Sequence, residues 1–479
     1  MPPETTLLGS IRHIHLVAAA GTGMGTLACM LAERGFRVTG SDRAAYPPMS
    51  DQLERAGIEL KKGFAAEHVL DDPPDLIVIG NAVRRDNPEA RAALESGIPY
   101  RSFPDAVQEL FIRDRHSVVI AGTHGKTTCT SMLGHLLTET GRDPSVLVGG
   151  VAQNGGASFR LGEGEHFVVE GDEYDTAFFD KTPKFLHYAA RSVLLTSCEF
   201  DHADIYESIE QIQTAFRELV TRLPDDGRIL AATDVPALLE VLRDARAPVQ
   251  GYGYGDAALW RPSDVTFDGR GSQFTLWRGE KRLARARIPL WGRHNVENAL
   301  GSLALAIELG VDPEEGARAL ESFSGVRRRQ ELRGEAGGVV VIDDFAHHPT
   351  AVRETIAAMR ARFPDRPLMA LYEPRTNTSR RRFFEEEYVQ ALRAADLAIV
   401  AEVYRADEIA PDDRLRPEVV VQGLREGGTD AEFRPGVEDI IETVLERRSG
   451  RDVALVLSNG DFGGICERLL ARLGREGEG

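Results

Sequence analysis

Long apolar runs are missing. No stretch approaches the ~18–20 residues that a membrane-spanning helix needs, so no membrane partner is expected. Cysteine is scarce: Cys29, Cys129, Cys198 and Cys466 lie far apart, with neither CxxC nor zinc-ligand spacing. That argues against a disulfide or zinc framework and fits free thiols in a reducing cytosol, so a cytoplasmic protein is expected. Basic charge is in deficit, with 57 Lys and Arg against 75 Asp and Glu and a formal net charge of −18. A binder of phosphate backbones wants a basic surface for counterion release, which argues against nucleic acid as a partner. A small anion held in a local basic pocket stays open. Internal repeats and long low-complexity tracts are also lacking, and only Gly474 to Gly479 read as a disordered tail. The segment Ile14–Ala20 could pass for a short signal-peptide core. It runs straight into Gly21-Thr22-Gly23-Met24-Gly25, however, which a strand-to-helix turn explains better, so no signal peptide is expected.

What is present is the balance of an ordinary globular protein, 42% hydrophobic and 28% charged. At roughly 150 residues per domain, 479 residues suggest about three domains. Short β-branched runs alternate with amphipathic segments, which predicts α/β domains with parallel sheets covered by helices. The first block spans 1–112, with strand His13–Val17, helix Thr26–Arg34, strand Phe36–Thr39 ending at Gly40-Ser41-Asp42, and strand Leu76–Ile79 ending at Gly80-Asn81. Arg113-Asp114-Arg115-His116 reads as a linker. The second block, 113–332, opens with strand Ser117–Ala121 and runs to the arginines near 330. The third, 333–479, contains strands Val339–Ile342, Leu368–Leu371, Leu397–Ala401 and Val453–Leu457.

The most specific local signal is Gly122-Thr123-His124-Gly125-Lys126-Thr127-Thr128, between an apolar strand and the helical pattern of Met132, Leu133, Leu136 and Leu137. Glycines let backbone N–H groups turn inward around phosphate oxygens, and the helix start adds partial positive charge. Lys126 would reach the β/γ-phosphates and the Thr127 hydroxyl would ligate Mg²⁺. The loop departs from the common pattern, because Gly122 lies three residues before Gly125 rather than five.

Two further strands of this block end in carboxylates. Phe167–Val169 leads into Glu170-Gly171-Asp172-Glu173-Tyr174-Asp175, and Val193–Thr196 leads into Glu199-Phe200-Asp201-His202-Ala203-Asp204. Ligands of open α/β sheets bind at these strand ends, where acids can hold Mg²⁺ directly or through water. Glu170 and His202 are the two favoured here; at least half of the remaining acids read as solvated turn residues. His294-Asn295-Val296-Glu297-Asn298 begins a helix, where amides either read an adenine edge or cap the helix.

Together these pieces resemble the Mur ligase family. The resemblance rests on Gly122–Thr128, the Glu170 strand end, Asp201-His202, the His294–Asn298 helix start, Arg328-Arg329 and Asp343-Asp344-Phe345-Ala346-His347-His348-Pro349-Thr350, which follow the family's order over nearly the whole chain. It implies a Rossmann-like N-terminal domain, a central P-loop ATPase-like domain and a Rossmann-like C-terminal domain. By the same resemblance Gly21, Thr22, Gly23, Met24 and Gly25, with Asp42 and Asn81, hold a UDP-sugar. Gly122 to Thr128 hold ATP with Asn295 and Asn298 beside the adenine, Arg329 on the phosphates and Asp344 on the ribose. Thr127, Glu170 and His202 are implied around Mg²⁺, with Lys126, His202 and Arg329 as the catalytic set. Tyr46-Pro47-Pro48-Met49-Ser50, Asp172-Glu173-Tyr174-Asp175 with Phe178-Phe179-Asp180-Lys181, and Glu373-Pro374-Arg375-Thr376-Asn377-Thr378 look most like the branch that uses UDP-N-acetylmuramate itself. There the amine is the tripeptide L-alanyl-γ-D-glutamyl-meso-diaminopimelate, with L-alanine as the alternative, and the setting is peptidoglycan synthesis or recycling. One departure is chemical. Several relatives carbamylate a central lysine, but no lysine occurs between Lys184 and Lys281, and Gln213 stands near that position.

The implied reaction activates a carboxylate with ATP, giving an acyl phosphate that an amine then attacks. Guanidinium pairs bidentately with carboxylate, so Arg375, Asn377 and Arg380 are the candidates for binding the peptide. Arg381 and Arg382 precede Glu385 and Glu386 by four residues, the spacing of salt bridges on an exposed helix that Thr378 or Ser379 would cap. Ser458-Asn459-Gly460-Asp461-Phe462-Gly463-Gly464 either lines the same pocket or is a Gly-rich turn. A nicotinamide dehydrogenase would use Gly21–Gly25 with Asp42 about 20 residues on, but it leaves the loop at 122 unexplained. A non-catalytic nucleotide switch explains that loop and none of the other motifs. Folylpolyglutamate synthase shares the central architecture but usually lacks a domain like 1–112. The oligomeric state is not legible.

Overall fold

A computed structural model of the chain describes residues 11–150 and 158–476. Three sheets follow one another along the chain. The first is built from β1 (His13–Val17), β2 (Arg37–Asp42), β3 (Glu59–Lys62), β4 (Leu76–Ile79) and β5 (Tyr100–Ser102), all parallel, in the Rossmann-like order β3-β2-β1-β4-β5. β1 and β4 are buried along their whole length, as a parallel sheet with helices on both faces requires. The order reverses between β1 and β4, and such a switch point opens a crevice at the carboxyl edge.

The central sheet has ten strands among the described residues. They are β6 (His116–Ala121), β7 (Ser145–Leu147), β8 (Phe159–Arg160), β9 (His166–Gly171), β12 (Ser192–Leu195), β13 (Arg228–Ala232), β14 (Val249–Tyr252), β15 (Trp260–Asp268), β16 (Gly271–Arg278) and β17 (Lys281–Ile288). β7, β9, β6, β12, β13 and β14 are parallel neighbours, while β15–β16–β17 form an antiparallel meander at one edge. β6 lies between β9 and β12, with Ala121 opposite both Gly171 and Leu195. That register brings the phosphate loop, the acids after β9 and the acids after β12 to one edge. A separate hairpin, β10 (Asp175–Ala177) and β11 (Asp180–Pro183), follows β9.

The third sheet consists of β18 (Glu331–Ala336), β19 (Val339–Asp344), β20 (Leu368–Tyr372), β21 (Leu397–Val400), β22 (Asp430–Phe433) and β23 (Val453–Leu457), ordered β18-β19-β23-β20-β21-β22. Only the β18 edge is antiparallel, and apolar clusters cover both faces. The first and central domains contribute to one common apolar core.

Several expected boundaries shift. The first helix is Thr22–Glu33, so Thr22 to Gly25 form its first turn after Gly21. A side chain at Gly25 would put a Cβ 2.2 Å from Met49 Sδ, so glycine lets the neighbouring helix approach. β2, β9 and β19 run on through Asp42, Gly171 and Asp344, because ladder pairing continues past the last apolar residue. His116 belongs to β6 rather than to a linker. Gly474 to Glu476 end the helix Ile465–Glu476 instead of starting a tail; residues 477–479 lie outside the described ones. Among the described residues no helix is long and apolar enough to cross a membrane, and the four cysteines are free and buried.

Candidate active site

The candidate phosphate loop, Gly122–Thr128, is shaped by its glycines. Gly122 and Gly125 have φ of +134° and +82°. A Cβ at either would lie 2.2 Å from Thr196 Oγ1 or 2.6 Å from Asn298 Oδ1, so both positions demand glycine. The loop is tied to the strand end after β12: His124 N–H donates to Ser197 Oγ at 2.7 Å, and Glu199 N–H donates to Thr123 Oγ1 at 2.9 Å. No side chain caps the helix Lys126–Glu139 at Gly125, the kind of helix start that suits an anion. Thr128 is buried in that turn.

Lys126 donates to the carbonyls of Gly122 (2.6 Å) and Thr123 (3.2 Å) and to Glu173 (2.9 Å). Burial works against its charge, but Glu173, and after it Glu170 and Asp172, hold the ammonium pKa above its ordinary value. Thr127 Oγ1 donates to Glu170 Oε1 at 2.9 Å, and Gly149 N–H donates to Glu170 Oε2 at 2.7 Å. Burial raises the Glu170 pKa despite Lys126. A half-buried carboxylate facing a hydroxyl offers the hard oxygen donors that Mg²⁺ prefers, so these two residues fit that ion.

His202, at φ +56°, places Nε2 3.0 Å from Glu173 Oε1 and Nδ1 2.9 Å from the Tyr174 hydroxyl. Glu173 therefore joins Lys126 to His202, and its side chain is 3% exposed. In the sequence, Glu173 stands only as part of the Asp172–Asp175 family feature and is given no role there; its place between Lys126 and His202 is visible in the structure alone.

Asn295 and Asn298 do not cap their helix, Arg293–Glu308, whose N-cap is Gly292 without a side-chain bond. Asn295 donates to Trp291 O at 2.9 Å, and Asn298 Oδ1 lies under Gly125 and accepts from Cys129 Sγ at 3.4 Å. His294 is kept neutral, its pKa lowered to about 4 by burial and then by Arg329. The half-buried Arg329 lies over the Phe345 ring, 4.8 Å from its centroid. Both oxygens of Asp344 accept backbone amides, from Gln330 and Ala346, each at 2.7 Å. A ribose hydroxyl at Asp344 would share those oxygens.

The third domain meets the loop after β12. Thr350 Oγ1 donates to Glu199 Oε2 at 2.7 Å, His347 Nε2 lies 3.6 Å from Asp201 Oδ2, and Ala203 N–H donates to Thr378 Oγ1 at 3.1 Å. His124, Glu199 and His348 are spaced as a metal could hold them. However, Thr350 N–H donates to His348 Nδ1 at 3.3 Å, and the cluster reads as a contact between domains.

The Arg375 guanidinium stacks on Tyr404 at 3.8 Å and lies 3.4 Å from Glu373 and 3.8 Å from Asp461. It also packs so closely on Gly460 that a Cβ there would fall 2.1 Å from its Nε. Of the segment Ser458–Gly464, Gly460 and Asp461 therefore lie against Arg375, and Phe462–Gly464 form a short helical turn. Arg380 is engaged elsewhere, with Asn377 Oδ1 (2.8 Å) and Glu408 (3.2 Å). The helical pairing expected for Arg381 and Arg382 is overturned. The helix is Glu385–Leu392 and starts after both arginines, so Thr378 and Ser379 cannot cap it. Arg381 pairs with Asp413, and Arg382 donates to Asp412 O at 3.0 Å. Gln213 donates to Ala237 O at 3.3 Å.

In the first domain, Gly21 to Gly25, Asp42 and Asn81 gather at the carboxyl edge of β1, β2 and β4. Asp42 accepts the Ala20 and Arg43 amides at 2.9 and 2.7 Å, and Asn81 is exposed.

Three descriptions match consecutive parts of the chain: Mur ligase family, catalytic domain over 13–115; Mur ligase middle domain over 120–306; and Mur ligase, glutamate ligase domain over 328–460. The chain is 39% identical over 471 residues to the UDP-N-acetylmuramate–L-alanyl-gamma-D-glutamyl-meso-2,6-diaminoheptandioate ligase of Escherichia coli (strain K12), covering 97% of this chain and 99% of the relative. It is 34% identical over 466 residues to a UDP-N-acetylmuramate–L-alanine ligase of Chlorobium phaeobacteroides (strain BS1), covering 96% and 98%. Among solved structures it is similar to a murein peptide ligase from Psychrobacter arcticus 273-4, with a TM-score of 0.70, 34% identity, and coverage of 97% and 99%.

Proposed function

The chain belongs to the Mur ligase family, and on that premise we propose that it joins UDP-N-acetylmuramate to L-alanyl-γ-D-glutamyl-meso-diaminopimelate with ATP. The full-length 39% identity to the Escherichia coli tripeptide ligase carries the substrate assignment. Residues 1–112 would hold the UDP-sugar, 113–332 ATP, and 333–479 the peptide. The free, buried thiols suit work in the cytosol.

A carboxylate does not acylate an amine at neutral pH, because oxide would have to leave. Attack of the lactoyl carboxylate on the γ-phosphate breaks the bond to the β-phosphate, releasing ADP and giving an acyl phosphate, from which the amine displaces phosphate with loss of its proton. Such transfer needs alignment and neutralised charge more than covalent help from side chains. Lys126 would exchange its carbonyl and Glu173 contacts for phosphate oxygens, and Arg329 would meet the same charge from the third-domain side. Thr127, Glu170 and His202 would hold Mg²⁺, which when bound screens the phosphate charge. Asn295 and Asn298 would flank the adenine and Asp344 the ribose. Gly21 to Gly25, Asp42 and Asn81 would hold the UDP-sugar. Arg375 is the candidate for a peptide carboxylate, with Asn377 and Arg380 behind it; Arg380 would first have to leave Glu408.

The test is phosphate release from ATP with UDP-N-acetylmuramate and either amine. Release with the tripeptide and not with L-alanine supports the reading. Release with L-alanine alone moves the chain to the activity named for its 34% identical Chlorobium relative.

A further inference from the structure

The β10–β11 hairpin reaches beyond the roles assigned so far. At its base, Glu173 holds Lys126 and His202, the Tyr174 hydroxyl lies 2.9 Å from His202 Nδ1, and Tyr206 Oη donates to Glu173 O at 2.8 Å. At its tip, the chain turns through Phe178 and Phe179, where a free hairpin would ordinarily carry Gly, Asn or Asp. These aromatics sit on the first domain. Phe178 packs against the apolar cluster that includes Val17, Ile79 and Ala90, and Phe179 meets Tyr100 edge-on with centroids 5.4 Å apart. A brace completes the contact: His187 Nδ1 lies 2.8 Å from Asp105 of the first domain, and its Nε2 lies 2.9 Å from Thr182 Oγ1 of the hairpin.

One short segment therefore touches the first domain at one end and two of the three candidate catalytic side chains, Lys126 and His202, at the other. We propose that this hairpin is a strut that sets Lys126 and His202 by the seating of the first domain, with Phe179 and His187 as its positioning residues. That the seated ligand is a UDP-sugar rests on the function proposed above. A first domain that shifts on its shared core pulls Phe178 and Phe179 with it, and the antiparallel ladder passes the displacement to Glu173 and Tyr174. A misplacement of that kind acts on kcat rather than on nucleotide affinity, because the phosphate loop is held independently by Thr196, Ser197 and Glu199.

The experiment compares the native chain with Phe179→Ala, Phe179→Leu and His187→Gln. Phe179 is 38% exposed and outside the buried core, so Phe179→Ala is expected to keep the fold, as circular dichroism would check. Phe179→Ala should lower kcat by up to about 100-fold, the scale of an ångström of misplacement, while the Kd for ATP alone stays within about twofold. Phe179→Leu should recover much of that loss, and His187→Gln should act in the same direction. Native kcat in Phe179→Ala, or a fall in kcat matched by equal loss of ATP binding, overturns the strut. If the native chain releases no phosphate with either amine, the functional reading fails, and amide hydrogen exchange decides the strut alone. Faster exchange in Phe179→Ala at 170–174 and 198–204 supports it, and faster exchange confined to 175–183 overturns it.

Discussion

Replacing Glu173 by Gln keeps the shape of the buried network and removes its negative charge. The native carboxylate is 3% exposed, pairs with Lys126 at 2.9 Å and receives His202 at 3.0 Å. Breaking a buried ion pair from one side costs about 3–5 kcal/mol, because the partner charge is left uncompensated. Lys126 keeps two carbonyl acceptors and the fields of Glu170 and Asp172, which places the loss near the lower end, about 3 kcal/mol. A domain of this size loses about 2–4 °C of Tm per kcal/mol, so thermal unfolding should shift down by roughly 6–12 °C. MgATP bound as proposed would bring negative charge to Lys126, so saturating nucleotide should narrow the gap between variant and native protein. An unchanged Tm, or a gap that nucleotide leaves the same, would refute the assignment of Glu173 as the counter-ion of Lys126.

Lys126→Ala removes a preorganised cation and should lower kcat by about 10²–10³-fold in the phosphate-release assay, with the fold retained by circular dichroism. Gly125→Ala forces a β-carbon into a backbone at φ +82° and against Asn298. It should cost about 1–3 kcal/mol in urea unfolding and weaken ATP binding measured by calorimetry. Glu297 has its pKa raised from 4.5 to about 7, first by burial and then by Asp234 and Glu354. A carboxyl whose folded pKa is raised stabilises below its unfolded pKa and loses that stability as pH rises through the folded value. Glu297→Gln should therefore stabilise the chain at pH 8 in denaturant titrations, with a gain that shrinks as pH falls from about 7 towards 4.5. An equal gain at both ends of that window would contradict the shift.

The parts of the fold legible in the sequence are those where burial and apolarity coincide. β4 and β23 are wholly buried apolar runs, and their ends fall where the residue pattern puts them. β2, β9 and β19 run longer than their apolar cores, because their last residues (Asp42, Glu170, Asp343, Asp344) are polar groups kept in the ladder at the site edge. The strand–loop–helix unit around Gly122–Thr128 is legible because its glycines, lysine and flanking strand are contiguous. Glu173 is not, because its partners Lys126 and His202 come from other strand ends. Arg381 shows the same limit from the other side. Its spacing to Glu385 suggested a helical pair, but the helix begins later and the partner, Asp413, comes from a distant loop.

The central claim is that the lactoyl carboxylate is activated by phosphoryl transfer at the site of Lys126, Glu170 and His202. It is tested most directly with UDP-N-acetylmuramate carrying ¹⁸O in both carboxylate oxygens, turned over with ATP and the tripeptide. Mass spectrometry should find one ¹⁸O in the released phosphate and the other in the new amide. Unlabelled phosphate, with both labels kept in the sugar or lost to water, would contradict the account.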